Sequence, residues 1–284
     1  MISEQRSWRR PNGLVLRAQV EGPAQPKGSV LLAHGGGQTR YAWGGTAKAL
    51  AAAGWLAVAL DLRGHGDSDW CPDQDYSNEA FAADLVAVAQ TLPQPCMAVG
   101  ASLGGMATML AEGELTPGTF SGVIFVDVTP RLEAEGVAGI VGFMRANMTE
   151  GFAELEDAAE AIEAYLPQRR GRRNLEGLKK NLRLGDDGRW RWHWDPAFMS
   201  EGRHQDREQA ALRLEAALGA IRCPQLLVRG RMSELVSEAG VAAFRAAAPS
   251  AAFVDVAGAG HMVAGDRNDA FTDAILTFLG EAAA

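Results

Sequence analysis

The chain has 284 residues, of which 47% are hydrophobic and 22% charged, a balance typical of a globular protein with a sizeable core. Its formal net charge of −8 argues against nucleic acid or an anionic membrane as a partner. The three cysteines are odd in number and far apart, so no disulfide framework or metal knuckle is predicted. The charged N-terminus lacks an apolar signal segment, and no apolar run approaches ~20 residues, so we expect a cytoplasmic protein without a membrane span.

Short β-rich segments alternate with helical segments along most of the chain, a pattern typical of a mostly parallel sheet with crossover helices. The predicted strands are 14–20, 30–33, 55–60, 97–100, 123–126, 226–229 and 253–256. The predicted helices are 44–53, 78–91, 103–112 and a closing helix over 268–279. The sequence therefore predicts an α/β protein.

The alternation stops between Pro130 and about Gly219, where the pattern is mainly helical, most clearly over 152–166 and 207–218. Two short alternating arms around residues 186–188 predict a hairpin, with three tryptophans on one face and Arg189, Arg191 and His193 on the other. An insertion at this point would cover the carboxyl edge of the sheet. We therefore expect a core of residues 1–130 and 220–284 and a helical lid of residues 131–219. A basic cluster in this lid is predicted to be a solvated face: Arg169, Arg170, Arg172 and Arg173.

A serine flanked by glycines, in the string GASLG at residues 100–104, follows the apolar residues 97–99 and precedes a helical segment. The order G-x-S-x-G between a strand and a helix is typical of a nucleophile elbow, a sharp turn that presents a reactive serine. Gly100 and Gly104 leave room for the chain to close around Ser102. The pattern predicts Ser102 as a catalytic nucleophile.

Two histidines lie at the ends of predicted strands. A serine nucleophile needs a base to take its proton, and His261, in the glycine-rich turn after the last strand, is placed to reach over the sheet edge. His34 precedes a triple glycine and is predicted to fix that loop by hydrogen bonding. A tetrahedral intermediate needs backbone N–H donors, which we expect from Leu103, after the nucleophile, and from Gly36 or Gly37.

The acid that orients the histidine has two main candidates. Asp127 ends the strand next to the nucleophile strand and is favoured, whereas Glu234 lies in the turn after strand 226–229. Two more distant carboxylates are Asp255 and Asp266. The turn over residues 61–68 contains further charges, which we interpret as a structural turn with an internal ion pair rather than a metal site.

Five motifs, LLAHGGG, LDLRGHGDSD, VGASLGG, VIFVDVTP and GAGHMV, together resemble those of the α/β-hydrolase superfamily over nearly the whole chain. The resemblance implies an α/β-hydrolase fold, with a mostly parallel central sheet, flanking helices and a helical lid, and a Ser-Asp-His site that uses no cofactor or metal. Ser233 stands where the family often has its aspartate. With Asp127 as the acid, the chain is similar to small-molecule esterases and lactonases that carry the acid after the sixth strand.

The expected activity is hydrolysis of a small carboxylic ester or lactone through an acyl-enzyme intermediate. Ser102 attacks the carbonyl, His261 transfers the proton, Asp127 holds the imidazolium, and the N–H groups of Leu103 and Gly36 receive the oxyanion. Within the same fold, a carbon–carbon bond hydrolase and a perhydrolase are the alternatives. A non-hydrolysing ligand-binding or signalling protein is the alternative from another class. The sequence also leaves a homodimer open.

Overall fold

The structure, a computed structural model, describes residues 1–166, 175–200, 207–261 and 268–282. Its strands are β1 (Ile2–Arg9), β2 (Val15–Gly22), β3 (Ser29–Ala33), β4 (Leu56–Asp61), β5 (Cys96–Ala101), β6 (Gly122–Val126), β7 (Leu182–Leu184), β8 (Trp190–Trp192), β9 (Gln225–Gly230) and β10 (Ala252–Val256). Its helices are α1 (Gly44–Ala52), α2 (Asn78–Ala89), α3 (Leu103–Leu110), α4 (Ala134–Arg145), α5 (Leu155–Tyr165), α6 (Leu175–Leu178), α7 (Arg207–Ala220), α8 (Glu238–Ala247) and α9 (Asn268–Ala282). Within these ranges, no helix has the length and apolar character needed to cross a bilayer.

Eight strands form one sheet in the order β1-β2-β4-β3-β5-β6-β9-β10. Neighbouring strands from β4 to β10 in that order are parallel, whereas β1 and β2 run antiparallel to their neighbours. Strands β3, β4 and β6 are buried along their whole length, as expected of parallel strands covered on both faces. The carboxyl ends of β3, β5, β6, β9 and β10 lie along one edge, where such sheets bind ligands. The predicted fold class is confirmed.

Helices cover both faces of this sheet. On one face Val30 and Leu32 of β3 belong to a buried cluster with α1 and with Phe271 of α9. On the other face Leu31, the residue between them, belongs to a cluster with Phe81 of α2 and with side chains of α3, α7 and α8. Since successive strand residues point to opposite faces, one apolar run contributes to two cores.

Two of the described elements in the expected core were not predicted from the sequence. Strand β1 pairs antiparallel with β2, but as an edge strand it leaves most of its side chains exposed or half-buried and shows no clear apolar alternation. Helix α8 is short, begins at a Ser237 cap whose hydroxyl accepts from the Gly240 N–H, and buries Val241 and Phe244. Its apolar residues are too few to give a long periodic signal.

The expected boundary at residue 219 includes α7 in the lid, but in the structure α7 packs against α3 and the π turn that follows it. A Cβ on Gly113 of that turn would lie 2.0 Å from the Ala217 carbonyl oxygen, and Leu214 and Leu218 are buried. Helix α7 therefore covers the sheet face. We call the described residues 131–166 and 175–200, which include α4 and the 3₁₀ turn that ends at Met199, the insertion.

The hairpin predicted around residues 186–188 is present as β7 and β8, a separate antiparallel pair. Trp192 and Trp194 stack with ring centroids 5.1 Å apart. The predicted alternation ends there, because the strand stops at Trp192. His193, expected on a polar face, is buried instead.

The turn after β4 also differs from its prediction. Rather than an ion pair within residues 61–68, Asp61 pairs with Arg40, and Arg63 pairs with Asp84 at 2.7 Å. Both aspartates and both arginines are buried. The charges of this turn are therefore satisfied by residues brought in from other elements.

Candidate active site

Ser102 lies between β5 and α3 with a φ of 46°, in the left-handed region that a non-glycine residue rarely adopts. The turn depends on close backbone approach. A Cβ on Gly100 would lie 2.5 Å from the Gly104 carbonyl oxygen, and a Cβ on Gly104 would lie 2.4 Å from that of Ala33. The Ser102 side chain does not cap α3. The turn therefore requires glycine at both positions, as the sequence pattern predicts.

Asp127 follows β6, is fully buried and also has a positive φ, 48°. Its Oδ1 accepts a hydrogen bond from the Gly230 N–H at 3.1 Å. Its Oδ2 lies 2.6 Å from the Nδ1 of His261 and accepts a second bond, also 2.6 Å, from the Ser233 hydroxyl. The carboxylate thus faces the imidazole with both oxygens engaged.

His261 follows β10, and its turn is tied to the loop after β9 by a bond from the Met232 N–H to the Ala259 carbonyl. The structure brings His261 to Asp127, whereas the Glu234 side chain is exposed. Asp255, a distant candidate, pairs instead with Arg229 at 3.1 Å. Asp266 and the arginines at 169, 170, 172 and 173 lie outside the described residues.

Ser233 is the contact that sequence reasoning missed, since the sequence shows only a serine where the family often has an acid. Its Oγ accepts hydrogen bonds from the N–H groups of Leu235 and Val236, both at 3.1 Å. With both acceptor positions occupied, its one hydrogen points at Asp127. The hydroxyl is therefore a fixed donor to the carboxylate oxygen that faces His261.

Two backbone N–H groups were expected to serve an oxyanion. At the start of α3, the Gly104 N–H is bonded to the His34 carbonyl at 3.2 Å, while the Leu103 N–H donates to no residue in the described ranges. The Gly36 N–H likewise has no acceptor among the described residues. Gly35, which precedes it, is adjacent to Ser102, because a Cβ on Gly35 would lie 3.3 Å from the Ser102 Cβ. Both expected donors therefore belong to segments next to Ser102.

Side chains of the insertion lie against the glycine loop after β3. The Phe198 ring would be 3.5 Å from a Cβ on Gly36, and Met144 and Trp194 would be 3.1 and 3.4 Å from a Cβ on Gly37. All three side chains are buried. The glycine loop next to Ser102 is therefore covered by apolar groups from the insertion.

Two clefts in the described part of the chain lie elsewhere. One, of about 760 Å³, is open and polar and lies between Arg17, Trp70 and Arg183. The other, of about 420 Å³, is apolar and lies between α4, α5 and Trp192. Neither is lined by Ser102 or its neighbours, and the described residues hold no group of three His, Cys, Asp or Glu side chains that could bind a metal ion.

Comparisons with known proteins agree with this architecture. The family model described as alpha/beta hydrolase fold matches residues 28–267. The esterase Rv0045c of Mycobacterium tuberculosis is 31% identical over 216 residues, which cover 74% of this chain and 68% of that protein. A solved structure of that esterase superposes with a TM-score of 0.74 at 25% identity, covering 99% of this chain and 93% of the other.

Two further relatives are hydrolases by name. The 2-(acetamidomethylene)succinate hydrolase of Mesorhizobium japonicum is 30% identical over 213 residues, 74% of this chain and 73% of that protein. Protein phosphatase methylesterase 1 of Bos taurus is 33% identical over 152 residues, 51% of this chain and 38% of that protein. These relatives indicate a hydrolase. The match to the family model and the esterase relative together show that the chain belongs to the α/β-hydrolase family.

Proposed function

We propose that this protein is a serine hydrolase that cleaves a small carboxylic ester or lactone through an acyl-enzyme intermediate. Ser102 is the nucleophile, His261 the general base and acid, and Asp127 the residue that orients the imidazole. The N–H groups of Leu103 and Gly36 receive the oxyanion. Glu234, the alternative acid, has no part in this proposal because its side chain is exposed.

The observation that carries the proposal is the 2.6 Å contact between His261 Nδ1 and Asp127 Oδ2, beside an elbow that presents Ser102. The carboxylate can only accept, so Nδ1 holds the hydrogen and Nε2 is left as the basic nitrogen. Acyl transfer requires a base oriented in this way and a serine at the same edge of the sheet.

The reaction has two halves. In the first, the Ser102 oxygen adds to the substrate carbonyl while His261 takes the hydroxyl proton, and the proton then passes to the alkoxide as the C–O bond breaks. In the second, His261 takes a proton from water, whose oxygen adds to the acyl carbon, and the Ser102 oxygen leaves with that proton. Each N–H aimed at the oxyanion contributes roughly 3 kcal/mol of transition-state stabilisation.

The groups beside the oxyanion loop support a substrate with an apolar portion. Phe198, Met144 and Trp194 present rings and a thioether to Gly36 and Gly37, and all three are buried. An apolar acyl or alcohol group placed there would be shielded from water. The named esterase and methylesterase relatives are consistent with an ester as the bond that is cleaved.

The deciding experiment combines covalent labelling with steady-state kinetics. The purified chain is treated with a fluorophosphonate probe and assayed with p-nitrophenyl esters of increasing acyl length and with a panel of lactones. We expect labelling at Ser102, found by peptide mass spectrometry, and ester or lactone turnover that the probe abolishes. The Ser102→Ala variant, with an unchanged circular dichroism spectrum, should show neither.

Other outcomes contradict the proposal in distinguishable ways. Labelling at Ser102 without turnover of any ester or lactone would favour a carbon–carbon bond hydrolase. Turnover that rises with added peroxide would favour a perhydrolase. Absence of both labelling and turnover in a folded chain would favour a non-hydrolysing binding protein.

A further inference from the structure

An imidazole from the insertion reaches the loop that carries Gly36. His193 follows β8 and is 2% exposed. Its Nδ1 accepts a hydrogen bond from the Gly66 N–H at 2.8 Å, and its Nε2 lies 3.2 Å from the Gly37 carbonyl oxygen. Because the Gly66 N–H can only donate, Nδ1 is the acceptor nitrogen, and Nε2 carries the hydrogen that is donated to Gly37.

The charge state of the ring agrees with this assignment. Burial, with a smaller contribution from His34, lowers the pKa of His193 to about 3. Arg183 also contributes to this lowering of the pKa, while the bond to Gly37 and the charge of Asp67 oppose it. At neutral pH the ring is therefore uncharged, with one donor and one acceptor nitrogen, and both are used.

A second buried histidine holds the other end of the same loop. The His34 Nε2 accepts from the Leu62 N–H at 3.0 Å, so its Nδ1 donates to the Gly35 carbonyl oxygen, 2.8 Å away. That carbonyl also accepts from the Gln38 N–H at 3.1 Å. Since the Gly35 carbonyl and the Gly36 N–H share one planar peptide group, the direction in which the Gly36 N–H points depends on both of these bonds.

The two anchors come from different parts of the molecule. His34 directly follows β3 of the sheet, whereas His193 belongs to the insertion. Gly37, which receives the His193 bond, has a φ of 73°, a conformation that glycine adopts without strain. The residues around His193 also tie the insertion to the turn after β4, through a bond of 2.9 Å from the Asp195 N–H to the Gly64 carbonyl.

We propose that His193 is a positioning residue for the oxyanion loop, which makes the direction of the Gly36 N–H depend on the seating of the insertion. The inference rests on the proposed function, because it assigns Gly36 an oxyanion. The Gly37 carbonyl shares its peptide group with the Gln38 N–H, which is one of the two donors to the Gly35 carbonyl, so both anchors together keep the Gly36 N–H directed at the site. When the insertion is displaced, the Gly37 anchor is lost and that N–H loses its alignment.

The two bonds of His193 can be separated by substitution. The amide of His193→Asn ends at the level of Nδ1, so it keeps an acceptor for the Gly66 N–H and does not reach Gly37. The amide of His193→Gln extends to the level of Nε2, so it keeps a donor for Gly37. Arg183→Met is the matched control, because Arg183 of the same hairpin donates to the Gly66 carbonyl at 2.6 Å and its partner is not in the oxyanion loop.

Three quantities are measured on the full chain: kcat and KM for a p-nitrophenyl ester, the inhibition constant of a trifluoromethyl ketone, whose adduct carries an oxyanion, and the melting temperature. We expect His193→Asn to lower kcat by about tenfold and to change KM by less than about twofold. The inhibition constant of the ketone should rise by about tenfold, in parallel with the loss of kcat. His193→Gln should lose less kcat than His193→Asn. Arg183→Met should lower the melting temperature without this selective loss of kcat.

Amide hydrogen exchange of the peptide covering residues 34–39 provides a readout that needs no turnover. Exchange should rise in His193→Asn and less in His193→Gln. Unchanged exchange in His193→Asn, or a kcat that follows melting temperature across all three variants, would overturn the positioning role. If the wild-type chain shows no labelling at Ser102 and no turnover, the proposed function fails, while the exchange data still decide whether His193 holds the loop.

Discussion

The carboxyl edge of the sheet and the insertion contribute to one site by different physical means. At the edge, backbone conformation sets the positions: Ser102 and Asp127 both have positive φ, and Gly100 and Gly104 permit the close approach. In the insertion, side chains such as His193 contact the site across long sequence separations. A backbone requirement restricts which residue types are allowed and leaves a readable motif. A single side-chain contact such as that of His193 leaves none.

The largest effect expected at the sheet edge is loss of the acid. In Asp127→Asn the amide can donate to His261, which favours the wrong tautomer, and we expect kcat to fall by about 10⁴-fold. Glu234→Gln, an equally conservative change of the exposed alternative, should leave kcat within about twofold. Steady-state kinetics of both variants decide the acid. The reverse ranking would assign the role to Glu234.

The next largest effect is expected from adding a Cβ at the elbow. Gly104→Ala would place a methyl group 2.4 Å from the Ala33 carbonyl oxygen, a backbone atom that cannot move without disturbing β3. We expect a loss of roughly 3 to 5 kcal/mol in the free energy of unfolding, measured by urea denaturation, together with loss of Ser102 labelling. A variant that unfolds like the wild type would show that the elbow is less tightly packed than the geometry indicates.

The same distinction explains what the sequence could and could not predict. The parallel strands, the elbow and the Asp127–His261 pair follow from apolar runs and from residue types at strand ends. The Ser233–Asp127 bond joins residues 106 positions apart, and no periodicity reports a single hydroxyl contact. His193 was misassigned because alternation predicts a face only while the strand continues, and β8 ends one residue earlier.

Lowering the pH should reduce the stability that His193 contributes between the insertion and the loop after β3. The pKa of His193 is about 3 in the folded chain, lowered by burial from an ordinary value of 6.5. The unfolded state therefore binds more protons between these values, and stability falls as pH decreases. We expect His193 to contribute a loss of roughly 2.5 kcal/mol between pH 7 and pH 4.5. Urea denaturation at several pH values should show a shallower dependence in His193→Gln. An equal dependence of stability on pH in the wild type and in His193→Gln would contradict a buried and neutral His193 ring.

Removal of the Ser233 hydroxyl should have a smaller effect. Ser233→Ala deletes one of the donors to Asp127 Oδ2 and leaves His261 as the remaining side-chain donor to that oxygen. We expect kcat to fall by about tenfold, with partial recovery in Ser233→Thr, which keeps a hydroxyl. Ser237→Ala is the matched control, because that hydroxyl caps α8 and donates nothing to Asp127. Equal kcat in the Ser233 and Ser237 variants would remove any role for the bond beyond loop stability.

The smallest expected effect has the opposite sign and lies in the insertion. Gly139 is within α4, and a Cβ there would meet no atom within 4 Å, in contrast to Gly104 of α3. Gly139→Ala should therefore raise the free energy of unfolding by about 0.5 to 1 kcal/mol, because alanine restricts the unfolded chain and favours the helix. Urea denaturation beside Gly104→Ala gives the comparison directly. A destabilised Gly139→Ala would mean that the insertion, like the sheet edge, uses glycine for close packing at this position, and the contrast between the two regions would not hold there.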